Sequence, residues 1–158
     1  MKKLIAVFML LFVACPAFAA SIYKMPPLKI TYTDDQGLLH TVVNALGIGL
    51  TPYGTSRTIH GRIANRNVVN FIPVVAAKIP YKYIDPVEGL KTIYLDSPNF
   101  VATGCGELVL PGQSCYFDVT FTPAMPERID GTIHTISEAF VIYVGGGTMA
   151  YVLEGFVQ

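Results

Sequence analysis

Apolar and polar residues alternate along most of this chain, in short runs broken by glycine, proline and aspartate. The clearest run is 116–121, with Phe117, Val119 and Phe121 to one side and Tyr116, Asp118 and Thr120 to the other. A period of two is what a strand with one face in a core must show. Residues 28–33 and 38–43 read as a strand and its return, joined by the turn Asp34-Asp35-Gln36-Gly37. Further strands are predicted over 57–64, 79–84, 91–95, 99–102, 107–110, 132–136, 139–144 and 149–157. Turns are expected at Asn65-Arg66-Asn67, at 85–89 and at the glycines 145–147. The stretch 44–56 mixes glycine and proline with apolar residues and reads as a loop around one short strand. Residues 68–77 are apolar and β-branched around Pro73, which predicts an edge strand, a bulge or two short strands. The stretch 124–131 reads as a polar loop. Past the first twenty residues no window carries the three-and-four spacing of an amphipathic helix. Short strands spaced by turns predict an all-β, antiparallel sandwich or barrel.

Two cysteines flank the clearest run. In 104–123, Leu110-Pro111-Gly112-Gln113 reads as a tight turn, with Pro111 presetting φ and Gly112 free to take positive φ. A bridge between Cys105 and Cys115 then ties two hairpin arms together. A redox pair is the competing reading, but such pairs usually stand as Cys-x-x-Cys near a helix start, so a structural bridge is expected.

The ends narrow the compartment. Lys2 and Lys3, the apolar run 4–14 and the small-residue pattern Ala17-Phe18-Ala19 form a signal peptide, 1–19, with the mature domain predicted as 20–158. Phe12-Val13-Ala14-Cys15 is an imperfect lipobox, so Cys15 is either lost with the signal peptide or acylated as a lipid anchor. Without Cys15 the mature chain keeps an even pair of cysteines, suited to a disulfide in an oxidising compartment. A periplasmic, secreted or cell-surface location follows, with an outer-membrane lipoprotein as the alternative. The 158 residues carry no net formal charge, and only 14% are charged. No basic run follows Lys3, which argues against a nucleic-acid partner. No later stretch approaches the length of a membrane span.

The C-terminal two-thirds, about 59–157, resembles bacterial immunoglobulin-like domains of the choice-of-anchor D, ASH (abnormal-spindle/hydin), major-sperm-protein and PapD-like group. The resemblance rests on Asn65, Phe100, Cys105, Leu110-Pro111-Gly112-Gln113-Ser114-Cys115, Phe117, Val119, Phe121 and Pro123, followed by Gly131 and Leu153-Glu154-Gly155. It implies an immunoglobulin-like β-sandwich serving as a binding or structural module. Residues 28–56 have no counterpart in that pattern, so they add strands to the sandwich or form a separate ribbon.

Catalysis has no visible constellation. No Gly-x-Ser-x-Gly phrase is present, and His40, His60 and His134 stand alone in strand-like stretches without a nucleophile beside them. Scattered histidines with bridged cysteines supply no metal site, and no cofactor is implied. The first expectation is therefore a non-enzymatic exported module that binds a protein or plays a structural part in the envelope or a secreted assembly. An exposed edge strand is its candidate surface, with 149–157 and the Pro73 strand as the candidates. The alternative is a carbohydrate- or ligand-binding module using Tyr81, Tyr83, Tyr94, Tyr116, Tyr143 and Tyr151 on an exposed sheet face.

Overall fold

The computed structural model describes residues 28–34, 36–124 and 131–158. The signal peptide 1–19, Cys15 and most of the loop 124–131 lie outside the described residues. Ten strands are present: β1 (Leu28–Thr33), β2 (Leu39–Thr41), β3 (Ala45–Thr51), β4 (Arg57–Asn65), β5 (Pro73–Asp85), β6 (Gly89–Asp96), β7 (Phe100–Gly104), β8 (Ser114–Phe121), β9 (His134–Val144) and β10 (Gly147–Val157). They form two five-stranded sheets, ordered β2-β1-β4-β8-β7 and β3-β10-β9-β5-β6. The sheets pack face to face as an immunoglobulin-like sandwich.

Alternation decides which face is buried. In β8, Cys115, Phe117, Val119 and Phe121 enter the core and the residues between them do not. In β4, Ile59 and Ile63 do the same from the neighbouring strand. Phe140, Ile142 and Leu153 answer them from the second sheet, all fully buried. Burying one such side chain stabilises by about 1.5–3 kcal/mol. Phe100 stacks on Phe121 (centroids 4.6 Å apart), and Phe117 meets Phe140 at 4.9 Å across the sandwich. Two glycines make room for these rings. A Cβ on Gly61 would stand 2.1 Å from Phe117 Cζ, and one on Gly155 2.6 Å from Phe121 Cζ. Bare backbone is what lets the aromatic side chains lie flat against the opposite strands.

Residues 28–56 join the sandwich and belong to both sheets. β1 pairs antiparallel with β4, while β3 crosses over and pairs parallel with β10, Ala45 beside Val152. So 44–56 is not mainly loop, and the second sheet is mixed, where wholly antiparallel pairing was expected. Glycines at 47 and 49 disguise β3, yet Leu46 and Ile48 between them are fully buried.

Three further expectations are corrected. The runs 132–136 and 139–144 are one strand, β9, whose polar Glu138 sits inward at the end of the core. Residues 107–110 make only an isolated bridge, Val109 with Phe71. Pro73 does not interrupt a strand but opens one, β5, where it pairs with Val144 of β9. It is tolerated as a first strand residue, and its carbonyl accepts a hydrogen bond from Gly106 N at 2.7 Å.

Candidate interaction surface

The bridged hairpin is built as the cysteine spacing suggests. Cys105 and Cys115 are disulfide-bonded, with Cα atoms 5.2 Å apart. Gly104, Cys105 and Gly106 all have positive φ, and Cys105 is the one non-glycine residue among those described to do so. Cys105 N donates to Tyr116 O at 2.8 Å. A Cβ at Gly104 would meet that same carbonyl at 2.5 Å, so this turn admits only glycine there. Asn65 ties the neighbouring loops: its buried Nδ2 donates to Val69 O (2.9 Å) and Val109 O (3.0 Å). Its backbone N–H donates to Gln113 O, and its carbonyl accepts from Gly112 N. Pro111 and Gly112 therefore shape a turn clamped by Asn65, and Phe117, Val119 and Phe121 are core residues. Every residue of the motif holds structure.

The histidines are used in the same way. His60 Nδ1 and Asp118 Oδ1 are 2.7 Å apart as an exposed cross-strand pair. His40 stacks on Tyr32 and its Nε2 is 2.8 Å from Asp34 Oδ2. Asp34 Oδ1 also accepts from Leu38 N and Gln36 N. The His40 contact, then the Leu38 amide, hold the Asp34 carboxyl below its ordinary value. These contacts close the β1–β2 turn beside an open depression of about 480 Å³ lined by Tyr32, His40, Gly47, Arg57 and Phe156. His134 touches Thr132 Oγ1 on an exposed strand end (2.8 Å). Among the described residues no group of three or more His, Cys, Asp or Glu side chains is placed to hold a metal ion.

The tyrosines do not share a platform. Tyr116 lies on the outer face of the first sheet. Tyr151, opposite Phe140, points to the core side, where burial pushes its phenol above the ordinary value. Tyr81 and Tyr83 share one face of the β5–β6 hairpin and Tyr94 takes the other.

The strands 79–84 and 91–95 and the turn 85–89 form the expected hairpin, but it leaves the sandwich, which the sequence does not indicate. β5 pairs with β9 only from Pro73 to Lys78, and from Lys78 onward it pairs with β6 instead. The two strands leave the sandwich as a ribbon in which no residue from 79 to 95 is buried. Tyr81, Ile84, Leu90, Ile93 and Leu95 are between 42% and 79% exposed. Ionic and turn contacts brace it. Lys78 pairs with Asp96 at the root, and Lys91 with Glu88 near the tip. Asp85 Oδ1 accepts from Glu88 N and Val87 N, which lower its carboxyl. At the root, Asn99 Nδ2 donates to Glu138 Oε1 (2.9 Å) and Asn99 Oδ1 accepts from Ala124 N.

The edges expected to bind are covered only in part. β10 lies between β9 and, from Val152 onward, β3; β5 has β9 beside it over Pro73–Lys78 and β6 over Lys78–Asp85, so past Lys78 its edge opposite β6 carries no ladder partner among the described residues. The outer edge of β3 is closed by side chains. Tyr32 OH accepts from Gly47 N, Thr51 Oγ1 donates to Gly49 O, and Arg57 donates to Leu50 O. β7 has five residues and ends at the disulfide turn, and β2 has three. Among the described residues β6 has no second strand partner along its eight residues.

No protein-family model matches the chain, and no curated protein does. Among solved structures it is similar to PapD-like domain 7 of human CEP192, an ASH/PapD-like domain. The TM-score is 0.52 at 12% identity, covering 87% of this chain and 91% of that one. The fold is the ASH/PapD-like sandwich. Looser similarities are to the periplasmic chaperone SfaE (TM-score 0.42, 10% identity, 82% of this chain and 57% of that one) and to a family 123 glycoside hydrolase from Clostridium perfringens. The latter has a TM-score of 0.45 at 7% identity and covers 83% of this chain and 27% of that one. On the PapD-like sandwich of this chain, the phrase from Cys105 to Phe121 brings Val109, Cys115, Phe117, Val119 and Phe121 into the core. The exposed ribbon stands apart from it.

Proposed function

We propose that the chain is an exported, non-enzymatic ASH/PapD-like module that joins proteins in the bacterial envelope or a secreted assembly. It works as one domain, 20–158, after removal of 1–19. The observation that supports this is the β5–β6 ribbon, whose side chains do nothing for the core of their own fold. A two-stranded ribbon is marginal by itself in water, and exposed apolar residues grouped on a projection mark interaction surfaces. The Cys105–Cys115 bridge agrees with an oxidising compartment.

A photo-crosslinking residue at Tyr81, on the ribbon, should capture protein in intact cells, and the same residue at His60, on the outer face of the first sheet, should not. Equal capture at both, or none at Tyr81, overturns the reading. Export is checked by the N-terminus of the native protein. A free Ala20 or an acylated Cys15 supports it, and a chain that begins at Met1 refutes it.

A further inference from the structure

We propose that β6 pairs with β6 of a second copy of this chain, antiparallel about a two-fold axis at Tyr94, joining the two mixed sheets into one. The backbone fixes which groups are free. Ser97 N donates to Ala77 O, so Ser97 and the odd positions before it turn their N–H and C=O groups toward β5. Hydrogen-bonded and non-bonded pairs alternate along an antiparallel ladder. Leu90, Thr92, Tyr94 and Asp96 therefore direct theirs outward. Pro80 agrees with this phase. It stands opposite Tyr94 in the ladder, at a place where no N–H toward β6 is needed, and its missing donor falls on the other edge of the ribbon. That edge is thereby interrupted, as edge prolines do. The β6 edge has no proline, no bulge and one charged side chain, Lys91, between Gly89 and Asp96.

Side chains select the register. Centred on Tyr94, a two-fold places Ile93 against the second copy's Leu95, Tyr94 against its own equivalent, and Thr92 hydroxyl against the second copy's Asp96. Each of the non-central pairs occurs twice. Centring on Thr92 sets Glu88 against Asp96, two like charges that oppose pairing. Centring on Ile93 sets Leu90 against Asp96 and Lys91 against Leu95. Only the Tyr94 register matches apolar with apolar and hydroxyl with carboxylate. It forms about six backbone hydrogen bonds, two at Tyr94 and two at each Thr92–Asp96 pair. The inference rests on the ribbon being an interaction element but not on export.

The native protein examined by sedimentation up to about 100 µM, a range that detects micromolar self-association, should run as a dimer. The double variant Thr92→Lys/Tyr94→Lys, at two side chains that make no hydrogen bond or ion pair within the fold, should weaken association by at least about tenfold with an unchanged circular-dichroism spectrum. Lys82→Ala on β5 should leave it intact. Tyr94→Cys should crosslink the dimer through a disulfide, since Cα atoms of a hydrogen-bonded pair lie about 5.5 Å apart, and Leu90→Cys should not. A monomer at all concentrations, a dimer indifferent to the lysines, or crosslinking at Leu90 in preference to Tyr94 overturns the proposal. A monomer that still crosslinks another protein through Tyr81 would leave the interaction reading standing and remove self-pairing alone.

Discussion

Gly61→Ala is the sharpest test of how this core is built. In a strand, replacing glycine by alanine ordinarily stabilises by about 0.5–1 kcal/mol, because glycine loses more backbone freedom on folding. At Gly61 the sign should reverse. The new methyl would lie 2.1 Å from Phe117 Cζ and 2.5 Å from each Cε, where ordinary contacts are near 3.5–4.0 Å. The ring must therefore withdraw by more than an ångström. It has nowhere to go, being 2% exposed and packed on Phe140. Overpacking a tight core costs about 1–3 kcal/mol, and a clash on the ring face puts this case at the upper end, near 3 kcal/mol. Urea denaturation followed by tyrosine fluorescence should show a midpoint lower by roughly 1.5 M for a slope of about 2 kcal/mol per molar. Phe117→Leu, which removes the ring edge, should relieve the clash. The double variant should then be more stable than the sum of the single changes predicts by at least about 1 kcal/mol. A Gly61→Ala protein as stable as the parent, or strict additivity in that cycle, would refute the account of Phe117 lying flat on bare backbone.

Three other outcomes follow from the same physical picture. Replacing both cysteines by alanine should cost about 3 kcal/mol, from the entropy of an eleven-residue loop. That is about 10 °C in thermal midpoint, and a calorimetric change under 2 °C would contradict it. Asn65→Ala should destabilise by about 1–3 kcal/mol, since it removes the side-chain donor to Val69 O and one of the two donors to Val109 O, which keeps Phe71 N. Asn65→Asp, which also lacks the donors, should not rescue the loss in urea titrations. The Asp34 carboxyl is held below its ordinary value of 3.8 by His40 and the Leu38 amide. Its stabilisation is therefore complete above that value and fades as pH falls through the lowered folded one. Asp34→Asn should make the fall in stability between pH 5 and pH 2 shallower, and an unchanged acid limb would count against the clamp.

What could be read in the sequence was whatever a single strand reveals about itself. β1 and β8 alternate cleanly, and the proline and glycine of 110–113 announce a turn, so these are legible in the sequence; the strand that pairs with β8 is nevertheless β7 and not 107–110. The misreadings share a cause, which is that burial came from a remote partner. Leu46 and Ile48 sit among glycines and look like loop until β10 lies beside them in parallel. Glu138 splits β9 on paper because a carboxylate at a core-facing place breaks the pattern, yet Asn99 takes its Oε1. Pro73 suggests an edge because a proline inside an apolar run usually sits on one, whereas here it only starts the strand. The ribbon hid for the opposite reason. Residues 79–84 and 91–95 carry enough apolar side chains to read as sandwich strands, and no local signal says that the opposing sheet has ended. The sequence therefore points to 149–157, the Pro73 strand and the tyrosines as candidate surfaces, whereas among the described residues β6 is an outermost strand of its sheet.

The parallel pairing of β3 with β10 has a bearing on how this molecule comes into being. The last strand made is an inner strand of its sheet, clasped by one formed near the start, and Tyr53 N reaches the carbonyl of Gln158, the final residue. No half of the chain can complete that sheet alone, so the ordering of residues 45–51 must wait for the C-terminus. Contacts so distant in sequence make for slow, late folding. Deletion of only the last few residues, which place Val157 beside Thr51, should leave the chain without a native state.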